Sequence, residues 1–167
     1  MATGAERMTQ PDGRTIEACT SDMTPVLAAF MAANQATPGF TFFEGKNADD
    51  LAGNVLVAIW LWMEGREAIA YGHIESSASA RKSGVVRLGV CVDSEHQGQG
   101  LGSDVVAFLI AQARAQGQRK IVATVYADNA AALRIYAKHG FREEGRYIAE
   151  EYVDGCYRDV VSLAKFL

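Results

Sequence analysis

Residues Val90 to Ile110 read VCVDSEHQGQGLGSDVVAFLI. An apolar run ends, three glycines follow at alternate positions (Gly98, Gly100, Gly102), and an apolar pattern with helical spacing begins at Leu101, Val105, Phe108 and Leu109. A strand therefore feeds a glycine-rich turn, and the turn feeds a helix N-terminus. The first N–H groups of a helix lack intrahelical partners and carry partial positive charge. Glycines let a ligand approach such backbone closely. The arrangement is an anion cradle suited to a pyrophosphate, and the plain alternative is a flexible connector.

Two better-known glycine loops do not fit. A nucleoside triphosphate loop needs Gly-Lys-Ser/Thr, but Gly102 is followed by Ser103 and Asp104. A dinucleotide fingerprint needs a third glycine where this chain has Ser103 or Val105.

Working outward, the strand before the cradle is Val85–Val92, preceded by a hairpin of Asn54–Trp62 and Glu67–Ser76. Upstream lie a short strand at Arg14–Cys19 and a helix marked by Met23, Val26, Leu27, Phe30 and Met31. KNADDLAG supplies one or two further helical turns. Downstream, the cradle helix stops near Gly117 and KIVATVY is a strand. A second helix follows, capped by Asp128 or Asn129 and stopped by Gly140. The tail is a hairpin turning at Asp154-Gly155. The expected fold is mixed α/β (α+β), a central, mostly antiparallel sheet flanked by helices. Residues 1–13 are expected to be a disordered leader, with Met8 an alternative start, and residues 14–167 a single domain.

Composition narrows the partners. The 167-residue chain is 49% hydrophobic and carries a net charge of -4, so nucleic acid held by bulk electrostatics is not expected. Cys19, Cys91 and Cys156 are odd in number and far apart, which points to reduced thiols and a cytoplasmic location rather than disulfides or zinc. No run approaches a membrane span, and the N-terminus lacks the apolar core of a signal peptide.

The pattern Gln/Arg-x-x-Gly-x-Gly/Ala is met by Gln97, Gly100 and Gly102. After one intervening strand comes NAAALRIYAKHGF, with Asn129, Ala132, Tyr136, Gly140 and Phe141. Together, in this order, the two motifs resemble the GNAT superfamily of acyl-CoA-dependent N-acyltransferases. Ser94 stands where proline is frequent in that family. The order of elements is similar from about Ile16 to the C-terminus.

The resemblance implies roles. Gln97, Gly98, Gln99, Gly100, Leu101 and Gly102, extending to Ser103, would bind the pyrophosphate of acetyl-CoA through backbone N–H groups. Val90, Cys91 and Val92 would pair with its pantetheine arm as an added strand. The Cys91 thiol itself reads as core. Asn129 would contact the arm, the alternative being a plain helix cap. Tyr136, two turns along the helix, would protonate the departing thiolate as general acid, the alternative being a core tyrosine. The Val92 N–H would suit the oxyanion.

No motif assigns the base. Strand alternation puts Tyr71, His73 and Glu75 on one face, so Glu75 or His73 is the candidate, against a solvated sheet face. Glu95 and His96 read as loop surface, and His139 as structural, its charge favoured by the helix C-terminus. Aromatics with carboxylates suit an amine-bearing acceptor. Phe40, Phe42, Phe43, Glu44, Tyr147, Glu150, Glu151, Tyr152 and Tyr157 are the candidates, with core and rim as the alternative.

The expected activity is acetyl transfer from acetyl-CoA to a primary amine of a small molecule, without a metal. Acetylation of a protein N-terminus or lysine, and a non-catalytic acyl-CoA sensor, are the alternatives. The outer strands are compatible with a homodimer.

Overall fold

The computed structural model describes residues 7–34 and 47–167. Eight strands form one sheet: β1 (Arg7–Thr9), β2 (Thr15–Ala18), β3 (Val57–Glu64), β4 (Glu67–Ser76), β5 (Val85–Val92), β6 (Lys120–Tyr126), β7 (Arg142–Val153) and β8 (Cys156–Phe166). Helices α1 (Thr24–Asn34) and α2 (Ala48–Ala52) precede β3, α3 (Leu101–Ala115) links β5 to β6, and α4 (Ala130–Lys138) links β6 to β7. The strand order is β1-β2-β3-β4-β5-β6-β8-β7, and every neighbouring pair is antiparallel except β5 and β6. The expected mixed, mostly antiparallel sheet with flanking helices is what forms.

Alternation along the strands gives the sheet two apolar faces. Val86 and Leu88 of β5, Ile121, Ala123 and Val125 of β6, and Val161 and Leu163 of β8 pack under α3 and α4. Tyr71 of β4 and Cys91 of β5 point the other way, into a second cluster with Leu27, Phe30 and Met31 of α1 and Leu51 of α2. Cys91 is thus the core thiol its apolar strand suggests. By the same alternation, Tyr126 and Arg158 share the α1 side of the sheet with Tyr71 and His73. Among the described residues, no helix is long and apolar enough to cross a membrane.

Two boundaries differ from expectation. Arg7–Thr9 falls in the stretch expected to be a disordered leader, yet it forms β1, in register with Thr15–Glu17. The turn between them closes through Gln10 N–H to Arg14 O (2.7 Å) and Gly13 N–H to Gln10 O (3.0 Å), and Met8 packs against the larger core. The Pro-Asp-Gly turn signal is present, but a strand of three residues is too short to show a period. β3 starts at Val57 and not Asn54. The Asn54 side chain accepts from Leu56 N–H (3.0 Å) and its carbonyl from Val57 N–H (3.0 Å), which makes a turn of residues that looked like strand.

Candidate active site

Pairing along β5 changes halfway. Against β4 it keeps register from Val86 to Val92, but against β6 only Val85, Val86 and Arg87 are paired. Beyond Arg87 the two parallel strands splay apart. The Asp93 N–H bonds Ile69 O at 3.0 Å, which fixes the phase of the ladder. Odd-numbered residues of β5 then turn their backbone groups to β4, and Leu88, Val90 and Val92 turn theirs into the opening. Cys91 therefore does not share the role expected of its neighbours, because its backbone groups face Tyr71 across the ladder. The Val92 carbonyl is taken by the Gln97 side chain (Nε2 to O, 3.0 Å), which ties the loop to the strand end and leaves the Val92 N–H directed into the opening.

The loop from Asp93 to α3 is built to leave donors unmet. The Asp93 carboxylate accepts from Glu95 N–H (3.2 Å) and lies 3.1 Å from His96 Nδ1, so Glu95 and His96 belong to a surface turn. Gly98 and Gly100 both take left-handed backbone, with φ of 75° and 90°. Gly100 is the N-cap of α3 and has no side chain with which to cap it. As a result, none of the N–H groups of Gly98, Gln99, Gly100, Leu101 and Gly102 meets an acceptor among the described residues. Gly102 serves packing instead: a Cβ there would lie 3.2 Å from Ile135 Cδ1 on α4.

Ser103 is outside this row. Its N–H bonds Gly100 O (2.9 Å), and its buried hydroxyl lies 2.9 Å from His139 Nε2 and accepts from Lys138 Nζ (3.0 Å). His139 is thus structural, but not through its charge. Burial, then the Lys138 charge, lower its pKa and favour the neutral ring. This clamp between α3 and α4 joins residues 36 apart, and no spacing rule points to it.

α4 starts beside the opening. Asn129 is its N-cap, accepting from Ala132 N–H at 3.0 Å, so only its amide nitrogen remains as a donor to a ligand. The C-terminus of α4 closes with Phe141 N–H to Tyr136 O (3.0 Å) and Gly140 N–H to Ala137 O (3.0 Å). This Schellman arrangement brings Phe141 edge-on against Tyr136, with ring centroids 5.1 Å apart. Tyr136 is 7% exposed, and burial pushes its phenol pKa well above the usual range. The group stays protonated at neutral pH, as a proton donor must.

The base candidates separate along β4. Glu75 pairs with Arg87, at the level where β5 and β6 are still joined. Ala70 pairs with Val92. Glu75 thus stands five residues, about 17 Å of strand, from the Val92 level. His73 pairs with Gly89 inside the splayed stretch, is 1% exposed, and packs against the Tyr71 ring at 5.5 Å. Geometry ranks His73 ahead of Glu75.

Of the acceptor candidates, Phe40, Phe42, Phe43 and Glu44 lie outside the described residues. On the hairpin, Tyr152 and Tyr157 pack across the strands with tilted rings (centroids 5.0 Å, interplanar angle 57°) and are exposed. Glu151 accepts a 2.5 Å hydrogen bond from the Tyr126 hydroxyl. Tyr126 and Arg158 border the same region and carried no motif. Their one signal is β alternation, which puts them on the face of Tyr71 once the strands are assigned.

The profile of the Acetyltransferase (GNAT) family matches residues 26–141. The chain is 35% identical over 94 residues to an L-amino acid N-acetyltransferase, AaaT, of Escherichia coli strain K12. That match covers 52% of this chain and 58% of the relative, so it spans little more than half of each. A GNAT-family acetyltransferase from Streptococcus pneumoniae superposes with a TM-score of 0.82 at 23% identity, covering 92% of this chain and 99% of that one. The Salmonella typhimurium protein yncA, solved with its cofactor acetyl-CoA, superposes with a TM-score of 0.79 at 20% identity, covering 92% and 94%.

Proposed function

The chain belongs to the GNAT acetyltransferase family, and from that premise we propose that it transfers an acetyl group from acetyl-CoA to a primary amine of a small molecule. The observation that carries the reading is the row of five unmet N–H groups, Gly98 to Gly102, at the mouth of the splayed strands. Such a row suits a pyrophosphate. The unpaired backbone groups of Val90 and the Val92 N–H suit an extended amide-bearing arm laid along β5. The family and the acetyl-CoA bound by yncA support this cosubstrate. AaaT, by its name an enzyme of L-amino acids, supports a small acceptor over a protein.

Bound acetyl-CoA supplies a thioester, and the chain supplies its environment. The acceptor nitrogen forms a bond to the acetyl carbon as the carbon–sulfur bond breaks. The Val92 N–H is aimed to stabilise negative charge on the carbonyl oxygen. The Tyr136 phenol gives its proton to the departing sulfur, and the proton that the acylated nitrogen sheds as the amide forms restores the phenol through water. Most alkyl amines are protonated at pH 7, so a proton must leave the acceptor before attack. Among the described residues, His73 is an imidazole at the level of the opening that can relay it.

The test is thiol release from acetyl-CoA across amino acids, polyamines, aminoglycosides and short peptides, with thermal stabilisation by acetyl-CoA measured alongside. Release with a small amine, and stabilisation by the cosubstrate, would support the reading. Release only with peptides would replace the acceptor class. Absence of both release and stabilisation would remove the cradle assignment.

A further inference from the structure

Beside the opening, on the hairpin side, lies a groove of about 390 Å³ lined by Ala127, Asp128, Cys156, Tyr157, Arg158 and Asp159. Among these described lining residues the cation is Arg158, near the start of β8. The side chain leaves β8 and crosses toward β6, where its guanidinium lies over the Tyr126 ring, 5.4 Å from the centroid. Tyr126 is held in turn by its 2.5 Å bond to Glu151. It is the last residue of β6, the strand that forms one wall of the opening. The arginine thus reaches from the hairpin toward the reaction mouth on a fixed aromatic platform.

The guanidinium is poorly satisfied where it lies. It has five N–H donors. Nη1 is 3.4 Å from an Asp128 oxygen, a long contact, and Nη2 is 3.9 Å from an Asp154 oxygen, beyond hydrogen-bond range. Nε is closed off from solvent and has no acceptor among the described residues. The Asp128 and Asp154 side chains are 66% and 82% exposed, so these pairs hold it weakly. Asp159 is already committed. Its Oδ1 accepts from Ala149 N–H at 2.9 Å, which pins the β7 bulge, and its Oδ2 faces Arg146 at 3.8 Å. An arginine kept for structure has its donors met. This one is 25% exposed and keeps Nη2 without an acceptor in hydrogen-bond range among the described residues, so that nitrogen can give a carboxylate oxygen a charge-assisted bond.

We propose that Arg158 binds a carboxylate of the acceptor, so that the substrates are amino acids rather than polyamines or simple alkylamines. Asp128, at the rim of the same groove, offers the opposite charge to the ammonium group of an arriving zwitterion. This assignment rests on the transferase reading, and the experiment separates the two.

Acetylation kinetics would be measured for L-methionine, L-phenylalanine and L-glutamine, each beside its carboxamide and its decarboxylated amine. Wild type, Arg158→Met and Arg158→Lys would be compared, with circular dichroism to confirm folding. The expected wild type favours the acid over the amide by about tenfold or more in kcat/KM, as a charge-assisted pair does. Arg158→Met abolishes that preference, mainly through KM, and Arg158→Lys keeps a fraction of it. A wild type that treats acid and amide alike, or an Arg158→Met variant that retains the preference, overturns the assignment and leaves the transferase standing. If no amine is acetylated, the transferase reading fails. Calorimetry of the three amino acids against wild type and Arg158→Lys then decides the groove: binding weakened by the variant supports the carboxylate site, and no binding removes it.

Discussion

His73 and Gly89 face each other across β4 and β5, and the imidazole of one fills the space where a side chain of the other would begin. A Cβ built on Gly89 would lie 2.2 Å from His73 Cε1 and 2.8 Å from Nδ1. Real contacts do not come this close, so Gly89→Ala must move the ring. The ring is itself wedged against Tyr71 and is buried. Overpacking of this kind costs about 1–3 kcal/mol. Urea unfolding should show that loss for Gly89→Ala. Acetylation at saturating substrate should fall with it if His73 relays the amine proton. A variant as active as wild type would remove His73 from the proton path.

The cradle glycines should respond differently to the same substitution. Gly100→Ala places a Cβ on left-handed backbone (φ 90°), with no neighbour within 4 Å. The cost is conformational, about 1–2 kcal/mol, and the protein can meet it by turning the row of N–H groups away. Its KM for acetyl-CoA should rise several-fold. Gly102→Ala instead meets the end of Ile135 at 3.2 Å, a flexible side chain that can give way. It should shift thermal stability slightly and raise that KM less than Gly100→Ala. Steady-state kinetics on the two variants checks the order.

How much of this was legible beforehand follows the range of the forces involved. β5 and β6 begin and end where their apolar runs do, and Asn129 and Gly140 bound α4 as capping rules require, because each signal is local. That β5 leaves backbone groups open to an added strand was implied only through family resemblance. Nothing in VVRLGVCV says that pairing stops at Arg87. Ser103, expected to extend the cradle, joins the clamp instead, and its partners on α4 are distant in sequence. The β7 bulge, where Ala149 takes a φ of 51° without a glycine, depends on the Asp159 carboxylate across the hairpin. Long-range polar contacts of this kind leave no period in the sequence.

Tyr136→Phe isolates one hydroxyl. The phenylalanine keeps the edge-on contact with Phe141 and the Schellman closure, which depends on backbone atoms only. Stability should therefore change by less than about 1 kcal/mol. Loss of a positioned general acid should lower kcat by about 10²-fold, with KM for acetyl-CoA nearly unchanged. A variant with full kcat would return Tyr136 to the core-tyrosine reading.

The clamp of Ser103 with His139 makes a pH prediction whose sign follows from the direction of the shift. Burial and Lys138 lower the His139 pKa below its ordinary 6.5 in the folded chain. The unfolded chain therefore binds the proton more readily. The stabilisation is fully present above the unfolded pKa and is lost as pH falls through the lower, folded value. Lys165 adds to the depression, while Ser103 and Asp104 oppose it, so removing Lys138 should raise the pKa toward normal. Thermal melts from pH 7.5 down to 5 should show wild type losing stability on the acid side, and His139→Gln should flatten that limb. Equal acid limbs in the two proteins would mean that other groups govern the loss and that the clamp does not depend on a neutral imidazole.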